Sequence, residues 1–130
     1  MVRTSSKMTP LNKEAPNFNL INCLTEKTVS LLDIRSDIGT VVMFICNHCP
    51  YVKHILPELV LFAKKYISQG ISFVAINSND TDNYPEDSPK FMKEIALDLD
   101  FPFPYLFDAT QEVAHSYQAA CTPDFFVFNK

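Results

Sequence analysis

The feature that most constrains the fold is a strand, helix, strand succession in the middle of the chain. Thr40-Val41-Val42-Met43-Phe44-Ile45 is apolar almost throughout, the pattern of a strand buried on both faces of a sheet. Downstream, Val52, Ile55, Leu56, Leu59, Val60, Phe62, Ala63, Tyr66 and Ile67 recur at three- and four-residue spacing. That spacing is the stripe of a helix packed on the sheet. Gly70 supplies the left-handed conformation that closes helices, and Ile71 to Asn77 reads as a second buried strand. Two strands joined through one helix lie parallel with a right-handed crossover. The chain is therefore expected to be α/β, with a sheet that is parallel at its centre.

Between the first strand and the helix stands Cys46-Asn47-His48-Cys49, a CxxC. A helix start offers unpaired backbone N–H groups and a partial positive charge, which favour thiolate over thiol. Two cysteines there form a poised dithiol. His48, as a cation or a hydrogen-bond donor, stabilises a thiolate further and makes the pair more oxidising; the alternative is a solvated histidine in a turn. Pro50 suits the first helical turn, where its missing N–H costs little, whereas Pro57 removes an internal hydrogen bond and is expected to kink the helix.

Around this unit, Met1 to Pro16 is polar and reads as a loose leader. Phe18 to Ile21 and Thr28 to Leu31 suggest a β-hairpin with Cys23 in its loop as a bystander, and Leu32 to Ser36 one helical turn. Ser78 to Asp87 is a polar segment leaving the carboxyl edge of the second strand. It reads as a connector rich in turn formers, or as a wall of a cleft beside the dithiol, because ligands of open α/β sheets bind at that edge. Ser88-Pro89 marks a helix start with Phe91, Met92, Ile95 and Leu99 as its buried stripe. Tyr105 to Phe107 is a short strand, and Asp108 or Thr110 caps a helix to about Gln118 with Val113, Ala114 and Tyr117 inward and His115 beside that face. Phe125 to Phe128 is a last apolar strand, entered through Cys121-Thr122-Pro123-Asp124.

The 130 residues suffice for one domain with its own core, and a formal charge of -4 with no basic run offers no footprint for nucleic acid or an anionic membrane. The start has no apolar core of signal-peptide type and no run reaches membrane-spanning length, so the expected location is cytoplasmic. In that reducing compartment four cysteines point to catalytic, buried or metal-binding thiols rather than to a disulfide framework. Zinc would draw on Cys46, Cys49 and His48 or His54, but a structural site usually needs a second close pair. No metal and no cofactor is expected.

The hairpin, the strand into Cys46-Asn47-His48-Cys49-Pro50-Tyr51-Val52-Lys53, the segments Ala75 to Asp80 and Tyr84 to Ser88, and the closing Cys121-Thr122-Pro123-Asp124-Phe125-Phe126 together resemble the thioredoxin-like superfamily. More narrowly, they resemble its peroxiredoxin-like branch carrying a CxxC, the redoxin or alkyl hydroperoxide reductase/thiol-specific antioxidant group. The resemblance spans residues 14–130 and leaves 1–13 as a flexible leader. It implies a central mixed sheet flanked by helices, with Pro123 as a cis-proline facing the dithiol and Thr122 presenting backbone to a bound thiol or peptide.

In the thioredoxin frame Cys46 is the exposed nucleophile and Cys49 resolves the mixed disulfide. The activity is then that of a thiol-disulfide oxidoreductase acting on protein or low-molecular-weight disulfides with a thiol reductant. In the peroxiredoxin frame Cys49 is peroxidatic and Cys46 replaces the hydroxyl residue that supports it. No arginine stands near Pro123 to polarise a peroxide, which sets this antioxidant reading second. A metal-binding or non-catalytic module is a lesser alternative. Cys121, two residues before Pro123, is either a partner in an alternative disulfide or a small buried thiol. Thioredoxin-like proteins usually continue with a strand and a helix beyond the point where this chain stops. The resemblance therefore implies a C-terminally truncated domain whose exposed edge invites pairing with a second copy.

Overall fold

The apolar strand from Thr40 lies inside the sheet but second from one edge rather than at its centre, and the helix and strand that follow it build the unit their spacing implies. The computed structural model describes residues 15–47, 50–79, 84–119 and 123–128. Its elements are β1 (Asn19–Asn22), β2 (Thr28–Ser30), α1 (Leu31–Ile34), β3 (Thr40–Phe44), α2 (Pro50–Ile67) and β4 (Ser72–Asn77). A short 3-10 turn (Pro85–Asp87), α3 (Pro89–Asp98), β5 (Tyr105–Phe107), α4 (Glu112–Tyr117) and β6 (Asp124–Phe128) follow.

The six strands form one mixed sheet in the order β2-β1-β5-β4-β3-β6. β3 pairs parallel with β4, and β4 parallel with β5, as α/β crossovers demand. The hairpin is antiparallel within itself and against β5, and β6 returns antiparallel beside β3, Phe44 opposite Asp124.

Alternation along the strands divides the core in two. One face packs Met43, Ala75 and Tyr105 with Val52, Leu56, Val60 and Ala63 of α2 and with Met92 and Ala96 of α3. The opposite face packs Val42, Phe44, Val74 and Ile76 with Leu31 of α1, Val113 and Tyr117 of α4, and Phe126 and Phe128 of β6. Rings bind this second layer together: Phe44 lies 5.5 Å from Tyr117 and 5.8 Å, edge-on, from Phe126.

Local chemistry sets the element ends. Ser30 and Asp33 form a reciprocal capping box on α1. Gly70 takes φ +95°, a conformation that L side chains rarely adopt, which suits glycine to the turn after α2. α2 runs on through Pro57 as one helix, with that ring exposed.

One expectation needs correction in α3. Phe91 is exposed rather than buried, because the inward row runs through Met92 and Ala96 instead. Ser88 precedes Pro89 as expected, yet its side chain makes no capping bond; its carbonyl accepts the Met92 N–H. Before α4, the buried Asp108 carboxylate accepts from Ser78 Oγ at 2.7 Å and from the Ala114 N–H at 3.0 Å, tying the helix to the end of β4. Among the described residues no strand pairs with the outer side of β6, where Phe125 and Val127 are 42% and 70% exposed. No described helix is long and apolar enough to cross a membrane.

Candidate active site at the carboxyl edge of the sheet

β3 leaves the sheet at its carboxyl end, and Ile45 still donates its N–H to the Ile76 carbonyl at 3.0 Å, so the chain enters the next turn under restraint. Cys46 and Asn47 follow and are 1% and 2% exposed. α2 then begins at Pro50. His48 and Cys49 lie outside the described residues, as do Cys121 and Thr122. The thioredoxin-type resemblance implied an exposed sulfur at position 46. The structure differs: Cys46 belongs to the core beneath α2, packed among Met43, Ile45 and Val52.

A buried polar network holds this turn. The Asn47 backbone N–H donates to Asp87 Oδ1 at 2.5 Å. Asn77 Nδ2 donates to the same oxygen at 3.0 Å, and Asn79 Nδ2 donates to Asp87 Oδ2 at 3.1 Å. Tyr105 donates its hydroxyl to Asn47 Oδ1 at 2.8 Å, and the Asn79 N–H donates to Asn77 Oδ1 at 3.0 Å. Asp87 is 0% exposed, and a carboxylate so placed needs such donors to remain charged. The pKa of the Tyr105 hydroxyl is pushed up first by burial, against the lowering effect of Asn77, and then by the charges of Asp87, Cys46 and Cys23. One phenol therefore senses the carboxylate and both thiols.

Cys23, read as a bystander in the hairpin loop, sits under this network. Its N–H donates to the Tyr105 carbonyl at 2.9 Å and its Sγ lies 3.6 Å from Met92 Sδ. Burial pushes its thiol up to about 11, so it stays protonated near neutrality.

Pro123 occupies the bend before β6 and is half-buried. Since Phe44 pairs with Asp124, Pro123 and Ile45 stand one step further along, at the same sheet edge as Cys46. His54 and His115 are both exposed. Among the described residues no group of three or more His, Cys, Asp or Glu side chains is arranged to hold a metal ion. The chain has two arginines; Arg3 lies outside the described residues, and Arg35 is the C-cap of α1. Its neighbour Ser36 bonds to Thr40 and to the Gly70 carbonyl, at the amino ends of β3 and β4. At about 3.3 Å per residue, the run from Thr40 to Cys46 puts the CxxC roughly 20 Å from that edge.

The individual residues missed at the level of sequence are Asn77, Asp87 and Tyr105. The polar segment from Ser78 does approach the dithiol, through Asn79 and Asp87, so it is more than a connector. One signal was present: Asn77 ends an apolar strand at the parity of Phe73 and Ala75, which aims it into the core.

Comparison with known proteins bears on the family and the fold. A family model described as AhpC/TSA matches residues 11–130. No curated protein matches the chain. The fold is similar to that of an uncharacterized conserved protein from Geobacillus kaustophilus, with TM-score 0.90 and 60% identity over 93% of this chain. A hypothetical protein from Sinorhizobium meliloti gives TM-score 0.90 and 38% identity over 96%. The chain spans 64% and 68% of the lengths of these two proteins. A thiol:disulfide interchange protein of the thioredoxin family from Chlorobium tepidum shares 21% identity over 95% of this chain and 80% of its own, with TM-score 0.71. The fold is thus thioredoxin-like.

Proposed function

The chain belongs to the AhpC/TSA family, and we propose that it acts as a thiol-disulfide oxidoreductase through Cys46 and Cys49, with Cys49 attacking and Cys46 resolving. This reverses the roles implied by the thioredoxin resemblance. The observation that carries the reversal is the burial of Cys46 beneath a helix that begins only at Pro50. A substrate disulfide must reach the attacking sulfur, whereas a resolving sulfur needs only to reach its partner. Cys49 immediately precedes the first residue of α2 in sequence, where the helix start favours a thiolate.

In the forward direction Cys49 thiolate attacks one sulfur of a protein or small-molecule disulfide, forming a mixed disulfide and releasing one substrate thiolate, which takes up a proton. Cys46 loses its proton and attacks Cys49 Sγ, releasing the second substrate thiol and closing a Cys46–Cys49 disulfide. Two electrons and two protons have passed to the substrate. Two equivalents of an external thiol restore the dithiol and leave as a disulfide. The proposed setting is the cytoplasm, where such thiols are abundant. Thr122 and Pro123 are assigned to bind the substrate's backbone, and His48 to favour the Cys49 thiolate.

A peroxide-reducing antioxidant role is the competing reading. The distance of Arg35 from the CxxC edge favours disulfides over peroxides, since a positioned cation is a strong aid to O–O cleavage. Insulin-disulfide reduction and hydrogen peroxide consumption, each with a thiol donor, test the choice. The expected result is disulfide turnover that is lost in both Cys46→Ser and Cys49→Ser, with slow peroxide consumption. Rapid peroxide consumption whose first turnover survives Cys46→Ser but not Cys49→Ser would assign the protein to peroxide reduction instead.

A further inference from the structure

Asp87 enters none of the steps above, yet its carboxylate is the most deeply buried charged group at the site. It lies forty residues from the dithiol in sequence and reaches it through the Asn47 N–H at 2.5 Å. In a trans peptide that N–H is on the same side as the preceding Cα, so Oδ1 stands about 4 Å from Cys46 Cα and no more than about 7 Å from its Sγ. Donors from Asn77 and Asn79 stabilise the ionised form of the carboxylate. A fixed negative charge at that range, in a site closed to water, disfavours a second negative charge.

We propose that Asp87 is the positioning residue that separates the two thiols by role, pinning the turn through Asn47 and holding Cys46 as the protonated thiol of the pair. The inference rests on the proposed dithiol chemistry and deepens it. Of two cysteines only three residues apart, the one beside the carboxylate stays a thiol and the one at the helix start ionises. The Tyr105 hydroxyl from β5 senses the charges of Asp87 from the 3-10 turn, of Cys46 and of Cys23 from the β1–β2 turn; Asn77 from β4 completes the network as a neutral group. On α2, Lys53 and His54 are exposed. Within the turn itself, His48 and Cys49 carry the remaining titratable groups. A thiol kept protonated until it resolves also remains, once ionised, the stronger nucleophile of the two.

The test follows the thiolate absorbance of Cys46 across pH in protein carrying Cys23→Ser, Cys49→Ser and Cys121→Ser, so that Cys46 is the one thiol left. Asp87→Asn retains an acceptor for Asn47 and removes the charge. The expected result is a Cys46 midpoint lower by at least about one pH unit in Asp87→Asn. In Asn79→Ala, which loosens the network but keeps the charge, the midpoint should stay at or above that of the parent. An unmoved midpoint in Asp87→Asn, or an equal fall in Asn79→Ala, would overturn the proposal.

Should Asp87→Asn not fold, the carboxyl carbon resonance of Asp87 in the single-thiol protein reads the same coupling. A chemical-shift step at the Cys46 midpoint, absent after Cys46→Ser, is expected; no step would overturn it. Neither readout needs turnover. A shifted midpoint in a protein without disulfide reductase activity would therefore refute the proposed function while keeping this assignment.

Discussion

Tyr105 on β5 donates its hydroxyl to Asn47 Oδ1 at 2.8 Å, fastening the turn that follows β3 to a strand two places away in the sheet. Both residues are buried, and Asn47 also bonds to Asp87. Tyr105→Phe keeps the ring packed and deletes the hydroxyl, which donates to Asn47 and also accepts from Asn77 Nδ2 at 3.5 Å. Removing a buried hydrogen-bonding group from such a network costs about 1–3 kcal/mol. Urea denaturation of Tyr105→Phe should show that loss with an unchanged slope, because the surface exposed on unfolding is the same.

Cys23 carries a pH dependence whose sign follows from its surroundings. Its thiol is pushed from 9.0 to about 11 by burial, so as pH rises the unfolded chain releases this proton first. Stability is fully present below the unfolded value and is lost as pH climbs from near 9.0 through about 11. Tyr105 and Tyr117, both raised by burial, extend the fall above 10.0. Denaturation midpoints taken at about pH 8 and about pH 10 should therefore decline, and Cys23→Ala should flatten part of the decline. For the same reason Cys23 should resist alkylation in the native protein near neutrality and react once it unfolds.

Phe126 and Val127 are neighbours on β6 with opposite fates. Phe126 is buried against Phe44 and Tyr117, at 5.8 Å and 5.7 Å between ring centres, whereas Val127 is 70% exposed. Phe126→Ala should cost about 3–5 kcal/mol through the cavity it leaves. Val127→Thr should stay within about 0.5 kcal/mol. Thermal unfolding of the two variants side by side checks the contrast. It also checks that β6, and with it Pro123 at the sheet edge, is held through the α4 face.

Which parts of this molecule were legible in its sequence follows from the range of the interactions involved. The β3, α2, β4 unit could be read because each element's burial is written in its own residues: an unbroken apolar run for β3 and a three-and-four stripe for α2. Phe91 misled because hydrophobicity pointed to it, while the small Ala96 takes the buried place beside Met92. Asp87 was not legible as a single residue. Its burial depends on an amide forty residues earlier and on Asn77 from another strand, and contacts of that range leave no local pattern. The proposed roles of the two cysteines rest on where α2 begins, which Pro50 marks. Proline favours the first position of a helix, which leaves Cys46 before the helix and not within its first turn.

The most direct measurement is the trapping of a mixed disulfide. Cys46→Ser and Cys49→Ser are each mixed with an excess of a peptide disulfide, and adducts are located by mass spectrometry. If Cys49 attacks and Cys46 resolves, Cys46→Ser accumulates a peptide adduct on Cys49 while Cys49→Ser remains largely unmodified at Cys46. An adduct that instead accumulates on Cys46 in Cys49→Ser, with none on Cys49 in Cys46→Ser, would contradict the assignment and return the attacking role to Cys46.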